Sequence, residues 1–218
     1  MIGATRSIVP TLRGAGLALI WFAVVYAPAF AAVAWLRPGI QIAIPIIIAV
    51  SAGVAALIIL LSRDRSGIAE FGVAKVSSSY VLVAAAAGVL VGAALAYLAA
   101  LHPARSPIDL SKLQPWMIFV YFVLAAPVQE ELIFRGLLQT TLSRVVPAAA
   151  GFWAVHFPVG FIAVLFGLIH LDSGVVVAAG AVLLGLIAGE LRRMSGSLAP
   201  AVLFHALLNA AAALWPAP

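Results

Sequence analysis

Seven apolar runs, each near the length of a bilayer-spanning helix, follow one another along this sequence. A helix needs about 20 mostly apolar residues to cross the hydrocarbon core of a membrane. The first run covers 15–36, the second 40–62 and the third about 79–101. The fourth, about 116–142, is interrupted by Glu130, Glu131 and Arg135. The fifth lies within 148–171, the sixth within 174–191, and the seventh covers about 197–215. No strand-type alternation, low-complexity tract or clear repeat is present. Of the 218 residues, 65% are hydrophobic and 9% charged. A soluble domain is closer to half apolar and a quarter charged. Lipid, not a soluble core of this size, can cover so much apolar surface. The expected fold is all-α, a polytopic transmembrane helical bundle of about seven spans. Residues 1–115 supply N-terminal transmembrane helices and loops, and 116–218 the core helices that carry the chemistry.

The charge pattern sets an expected topology. With the N-terminus inside, Arg6, Arg13, Arg63, Arg65, Lys75, Arg144, Arg192 and Arg193 fall on the inner side. Arg37, Arg105 and Lys112 fall outside. The positive-inside rule therefore predicts a multi-pass protein of the plasma (inner) membrane with a cytoplasmic N-terminus. The net charge of +5 is distributed between apolar runs, with no solvent-facing domain to present a basic patch, so nucleic acid is not an expected partner. The lipid bilayer is. With no cysteine, disulfides, Cys zinc sites and thiol nucleophiles are excluded. Ala29-Phe30-Ala31 resembles a signal cleavage site, but the first run is long for a signal h-region.

One run resists simple counting. Pro158 and Gly160 lie inside 148–171, and proline kinks or breaks helices. A straight helix through this stretch would put His170 near the face opposite Glu130 at about 1.5 Å per residue. A shared site therefore predicts that the helix breaks or tilts near Pro158.

The polar groups are the informative ones. A central charge in a membrane helix costs about 2.5–3.5 kcal/mol on the insertion scale. Gln129-Glu130-Glu131-Leu132-Ile133-Phe134-Arg135 puts three charges in one run. Glu131 and Arg135 share a face at i,i+4 and can pair. Glu130 points about 100° away. It must carry a proton or meet a histidine, a water or a cation from another helix. Such a carboxylate has a tunable proton affinity, as a general base needs. The plainer reading is a structural ion pair at a helix end. His170 closes Phe166-x-x-x-His170, and alone it reads as a hydrogen-bonded core histidine. His205 and Asn209, also i,i+4, converge on one spot and alone read as helix–helix glue. His156 reads as structural or interfacial, and Gly185 with Gly189 as a close-packing pair.

Together these groups meet the needs of peptide hydrolysis in lipid. Glu130 with His170 can activate water, and His205 with Asn209 can donate to an oxyanion. Alternatively, Glu130, His170 and His205 can hold one divalent metal such as zinc. H-E-x-x-H and G-x-S-x-G are absent, so zincin and serine-hydrolase arrangements do not apply. A small transporter using Glu130 and Glu131 as a cation site lacks the inverted repeat expected of it.

Three ordered motifs carry a family resemblance: Glu130-Glu131-x-x-x-Arg135, Phe166-x-x-x-His170 and His205-x-x-x-Asn209. They resemble those of the CPBP family, the CaaX proteases and bacteriocin-processing enzymes also called the Abi family. The flanking Gly136 and Gly196-Ser197-Leu198-Ala199-Pro200 are similar too, and Phe71-Gly72-Val73 resembles a stretch often seen ahead of this core. The resemblance covers roughly 116–215. It implies an intramembrane endopeptidase, in a family often called metalloprotease but also given a metal-free glutamate mechanism. It implies Glu130 and His170 as water activators, His205 and Asn209 as oxyanion donors, and Glu131 and Arg135 as their support. The implied partner is a membrane-associated peptide or protein substrate. A non-catalytic self-immunity or scaffold protein is the other role the family suggests.

Overall fold

The computed structural model describes residues 2–63, 67–101, 112–146 and 152–214. Among them there are helices and no strand, so the all-α polytopic bundle stands. We number seven helices: α1 Ile2–Leu36, α2 Ile40–Ser62, α3 Ser78–Leu101, α4 Pro115–Val145, α5 Phe152–Leu168, α6 Val175–Ser195 and α7 Ala199–Leu214. Five are long and apolar enough to cross a membrane. The other two, α5 and α7, have 17 and 16 residues. Over the described residues, at about 1.5 Å per residue, they reach less than the depth of a ~30 Å core. Leu61, Leu82 and Leu90 turn most of their surface outward, as lipid permits and water does not.

Of the break or tilt expected near Pro158, the break does not occur: Pro158 is buried inside a continuous α5. The helix instead stops at Leu168, and a short 3-10 turn, Leu171–Ser173, leads through Gly174 at φ 110° into α6. The early stop of the helix at Leu168, rather than a break, sets the position of His170.

Glycines bring the helix backbones together. A Cβ on Gly185 would sit 2.8 Å from Ala163 Cα, and one on Gly189 would sit 2.7 Å from Val159 Cγ1. This pair seats α5 against α6. A second pair, Gly88 and Gly92, seats α3 against α7. Their Cβ atoms would lie 2.8 Å from the Phe204 carbonyl oxygen and 2.8 Å from Leu208 Cα.

The connection after α2 folds into the bundle. Its 3-10 helix Gly67–Phe71 buries the Phe71 side chain completely. Gly72 follows at φ 92°, where a side chain would be strained, and a Cβ there would also strike Arg192 Nε. The Gly72 carbonyl accepts from the Leu198 N–H at 2.9 Å, and Ser197 Oγ donates to the Ala74 carbonyl at 2.9 Å. These bonds tie the segment before α7 to the inserted connection. Arg192 donates to the Glu70 carbonyl, and Arg144 Nε donates to the Glu70 carboxylate at 2.7 Å. The Arg144–Glu70 pair is about a third exposed on both sides. Glu70→Gln should therefore lower stability by no more than about 1 kcal/mol. Thermal unfolding in detergent or bicelles checks this. A larger loss would mean that the pair, not Phe71, anchors the connection.

Candidate active site

The site is built on α4, which departs from α-helical geometry twice. Phe119–Ala125 and Leu132–Gln139 are π-helical, with hydrogen bonds reaching i+5. Pro127 follows the first stretch and has no N–H to give the regular ladder. Between the two stretches lie Gln129, Glu130 and Glu131. In the second, every residue from Ile133 to Gln139 is buried, Arg135 among them. Such π stretches are frequent at functional sites.

Arg135 Nη1 donates to Glu131 Oε1 at 3.1 Å, with both side chains fully buried. This is the i,i+4 pair expected from spacing. The same Oε1 accepts from His205 Nδ1 at 2.9 Å. The other face of the imidazole turns to Glu130, with Nε2 at 3.6 Å from Oε2. Glu130 thus meets a histidine from another helix, and that histidine is His205. Arg135, Glu131, His205 and Glu130 form a chain of contacts in that order.

The remaining Arg135 nitrogens, Nε and Nη2, have no hydrogen-bond partner. Aromatic faces stand in for one. The guanidinium carbon lies 4.8 Å from the Phe166 ring centroid and 5.8 Å from that of Phe134. Gly185 leaves room for Nη2, which would be 3.3 Å from a Cβ placed there.

His170 joins through Phe166. Its Nδ1 bonds the Phe166 carbonyl at 2.8 Å. A carbonyl can only accept, so Nδ1 carries the hydrogen of this bond. The His170 and His205 rings lie 4.7 and 5.9 Å from the same Phe166 ring. Their separation therefore cannot exceed the sum of those distances. No hydrogen bond or ion pair joins His170 to Glu130. Asn209 donates Nδ2 to the Phe122 carbonyl at 2.8 Å, in the first π stretch of α4. That bond spends one of its two amide hydrogens.

The residues proposed for a metal do not fit one as they stand. Glu130, His170 and His205 are not gathered into a single ligand group, and none of three or more His, Asp or Glu occurs among the described residues.

Sequence reading missed three polar supports. Gln129 binds Tyr26 of α1 and Ser51 of α2. Gln139 donates to the Gly189 carbonyl at 3.2 Å. The Gly88 and Gly92 pair escaped notice as well, although its G-x-x-x-G spacing was there to find. His156, read as structural or interfacial, bonds Glu190 at 2.9 Å, and Arg193 meets the same carboxylate. His102 lies outside the described residues.

These features define a class: an integral membrane helical bundle with a buried, mutually contacting set of ionisable groups. Residues 112–211 match the family model for type II CAAX prenyl endopeptidase, Rce1-like. That model is one of the CPBP family, and the three motifs all lie inside the match. No curated protein and no solved structure matches the chain.

Proposed function

We propose that this protein is an intramembrane endopeptidase that hydrolyses a peptide bond of a membrane-associated substrate. The observation that carries the reading is Glu130. Its carboxylate is 20% exposed, faces His205 Nε2, and sits beside a carboxylate already neutralised by Arg135. A base needs access to water and a pair of states close in energy. Glu131 meets neither need, being sealed.

In this mechanism Glu130 takes a proton from water as its oxygen attacks the carbonyl carbon. The carbonyl π electrons move to oxygen, where the second amide hydrogen of Asn209 donates together with an Nε2–H of His205, which in this step is an imidazolium. Collapse re-forms the C=O bond and breaks the C–N bond. The proton from Glu130 passes to the leaving nitrogen, and the products are a carboxylic acid and an amine. His170 assists the proton transfer. Arg135 holds Glu131, whose Oε1 orients the His205 ring. The core helices over 116–218 carry all of these groups. We place the protein in the plasma (inner) membrane with the N-terminus cytoplasmic, on the strength of its basic residues.

The test is cleavage of a fluorogenic, membrane-tethered peptide library by wild type and Glu130→Gln, with and without a chelator. Wild type should cleave in both conditions, and Glu130→Gln should lose about 10²–10⁴-fold in rate, the usual contribution of a general base. Equal cleavage would remove Glu130 from this role. No cleavage by folded wild type would put the non-catalytic immunity or scaffold role in its place.

A further inference from the structure

The side chains of Gln129 and Glu130 leave α4 about 100° apart. Glu130 turns to His205 of α7, and Gln129 turns to α1 and α2. Gln129 is buried. Its Nε2 donates to the Tyr26 hydroxyl oxygen at 3.0 Å and to Ser51 Oγ at 3.0 Å, which spends both amide hydrogens. Ser51 is itself fixed, since it sends its proton to the Ile47 carbonyl at 2.6 Å. The segment that carries Gln129 and Glu130 is short. Ala126–Glu131 is a six-residue α-helical piece between π-helical Phe119–Ala125 and Leu132–Gln139. A π stretch closes its hydrogen bonds one residue later than an α-helix does. The direction in which the six residues face is therefore not handed on by one continuous ladder. Three side chains of the segment are buried: Pro127, Gln129 and Glu131. Pro127 has no side-chain donor, and Glu131 bonds Arg135 and His205. Gln129 is the member that hydrogen-bonds the segment to α1 and α2.

We propose that Gln129 is a positioning residue for Glu130: its bonds to Tyr26 and Ser51 fix the rotation of Ala126–Glu131, and with it the gap between Glu130 and His205. This rests on the protease reading above. The outer radius of a helix is about 5–6 Å, so a rotation of about 10° moves a side-chain end by about 1 Å. Glu130 Oε2 stands 3.6 Å from His205 Nε2. A shift of that size brings the pair into hydrogen-bonding contact or parts it. A single bond would act as a pivot, whereas bonds to two different helices restrain the turn. The consequence is that α1 and α2, both outside residues 112–211, hold the base in place.

Gln129→Met keeps the length of the side chain and removes both donors. The kcat should fall about 10²-fold, the cost of a misplacement near 1 Å at a reacting group, with KM little changed. Ser51→Ala removes one acceptor and should lower kcat by less. The double variant Ser51→Ala, Gln129→Met should match Gln129→Met, because the bond is already gone. All are read on folded protein well below its unfolding temperature. An unchanged kcat in Gln129→Met, with Glu130→Gln inactive, overturns the inference and leaves the protease reading intact. Losses that multiply in the double variant overturn it too, because the two residues then do not act through their bond. Should Gln129→Met fail to fold, the pair Tyr26→Phe, Ser51→Ala removes both acceptors instead, and an unchanged kcat there overturns the inference. If wild type cleaves nothing, the protease reading fails, and the placement is read by infrared spectroscopy. The Glu130 carboxyl band, assigned by its loss in Glu130→Gln, should shift when both acceptors are removed. An unshifted band overturns the control of Glu130 by Gln129.

Discussion

Arg135→Met should cost the fold about 3–5 kcal/mol and abolish cleavage. That is the usual penalty for removing one partner of a buried ion pair. Arg135 is 1% exposed and lies against the Phe134 and Phe166 rings. Methionine replaces much of its apolar stem, so lost packing is the smaller part of the effect. The larger part is Glu131, which would stay buried with one oxygen already lacking a partner. The double variant Glu131→Gln, Arg135→Met removes both charges and should recover most of the stability. It should not recover activity, because His205 loses the carboxylate that orients it. Unfolding in bicelles, followed alongside cleavage, reads both quantities. If the single and double variants are equally stable, the buried charge is not what Arg135 compensates.

Gly92→Leu should lower cleavage by at least about 100-fold through a shift of α7. A Cβ at Gly92 would lie 2.8 Å from Leu208 Cα and 2.9 Å from Ala211 Cβ. A backbone atom cannot yield as a flexible side-chain end can, so the helix must move. Overpacking of this kind costs about 1–3 kcal/mol. The effect on the reaction exceeds that because Phe204 and Leu208, the contact points of Gly88 and Gly92, flank His205 and Asn209. A displacement near 1 Å at a reacting group can cost about 10²-fold. Gly180→Ala is the comparison. There a Cβ meets only the Leu95 methyl groups at 3.5 Å, an ordinary contact, and alanine is the better helix former. It should leave both stability and cleavage close to wild type. Loss of activity in Gly180→Ala equal to that in Gly92→Leu would show that glycine content, not the α3–α7 approach, matters.

The helices and the Glu131–Arg135 pair were legible because each follows from spacing along one segment. Length and polarity define a helix, and i,i+4 defines a shared face. That Glu130 needs a partner from another helix was legible too, from the cost of an unpaired charge in lipid. Which histidine would meet it was not. His170 and His205 both suited the role, and the choice depends on how α5 and α7 are rotated and how deep each begins. That depth is set by contacts distant in sequence, such as Leu198 bonding to Gly72. The expected break near Pro158 failed for a related reason. Proline's effect on a helix depends on what surrounds it, and here Pro158 is buried. Asn209 was read as an oxyanion donor, yet one of its hydrogens goes to Phe122. A π stretch in α4 could not be foreseen from residue types. Gln129 was passed over because an uncharged amide beside two glutamates gives no separate signal.

The pairing of Glu131 with Arg135 inside one helix has a consequence for how the chain is made. α4 is synthesised well before α7, which brings His205 from 74 positions further on. For that interval α4 has to reside in the bilayer with its charges and without its histidine. Two opposite charges one turn apart accompany each other through insertion, so only Glu130 waits for a partner. α7 on its arrival brings Glu130 and Glu131 their histidine, and on the protease reading proposed above a chain made only as far as α6 has no assembled centre to turn on its neighbours.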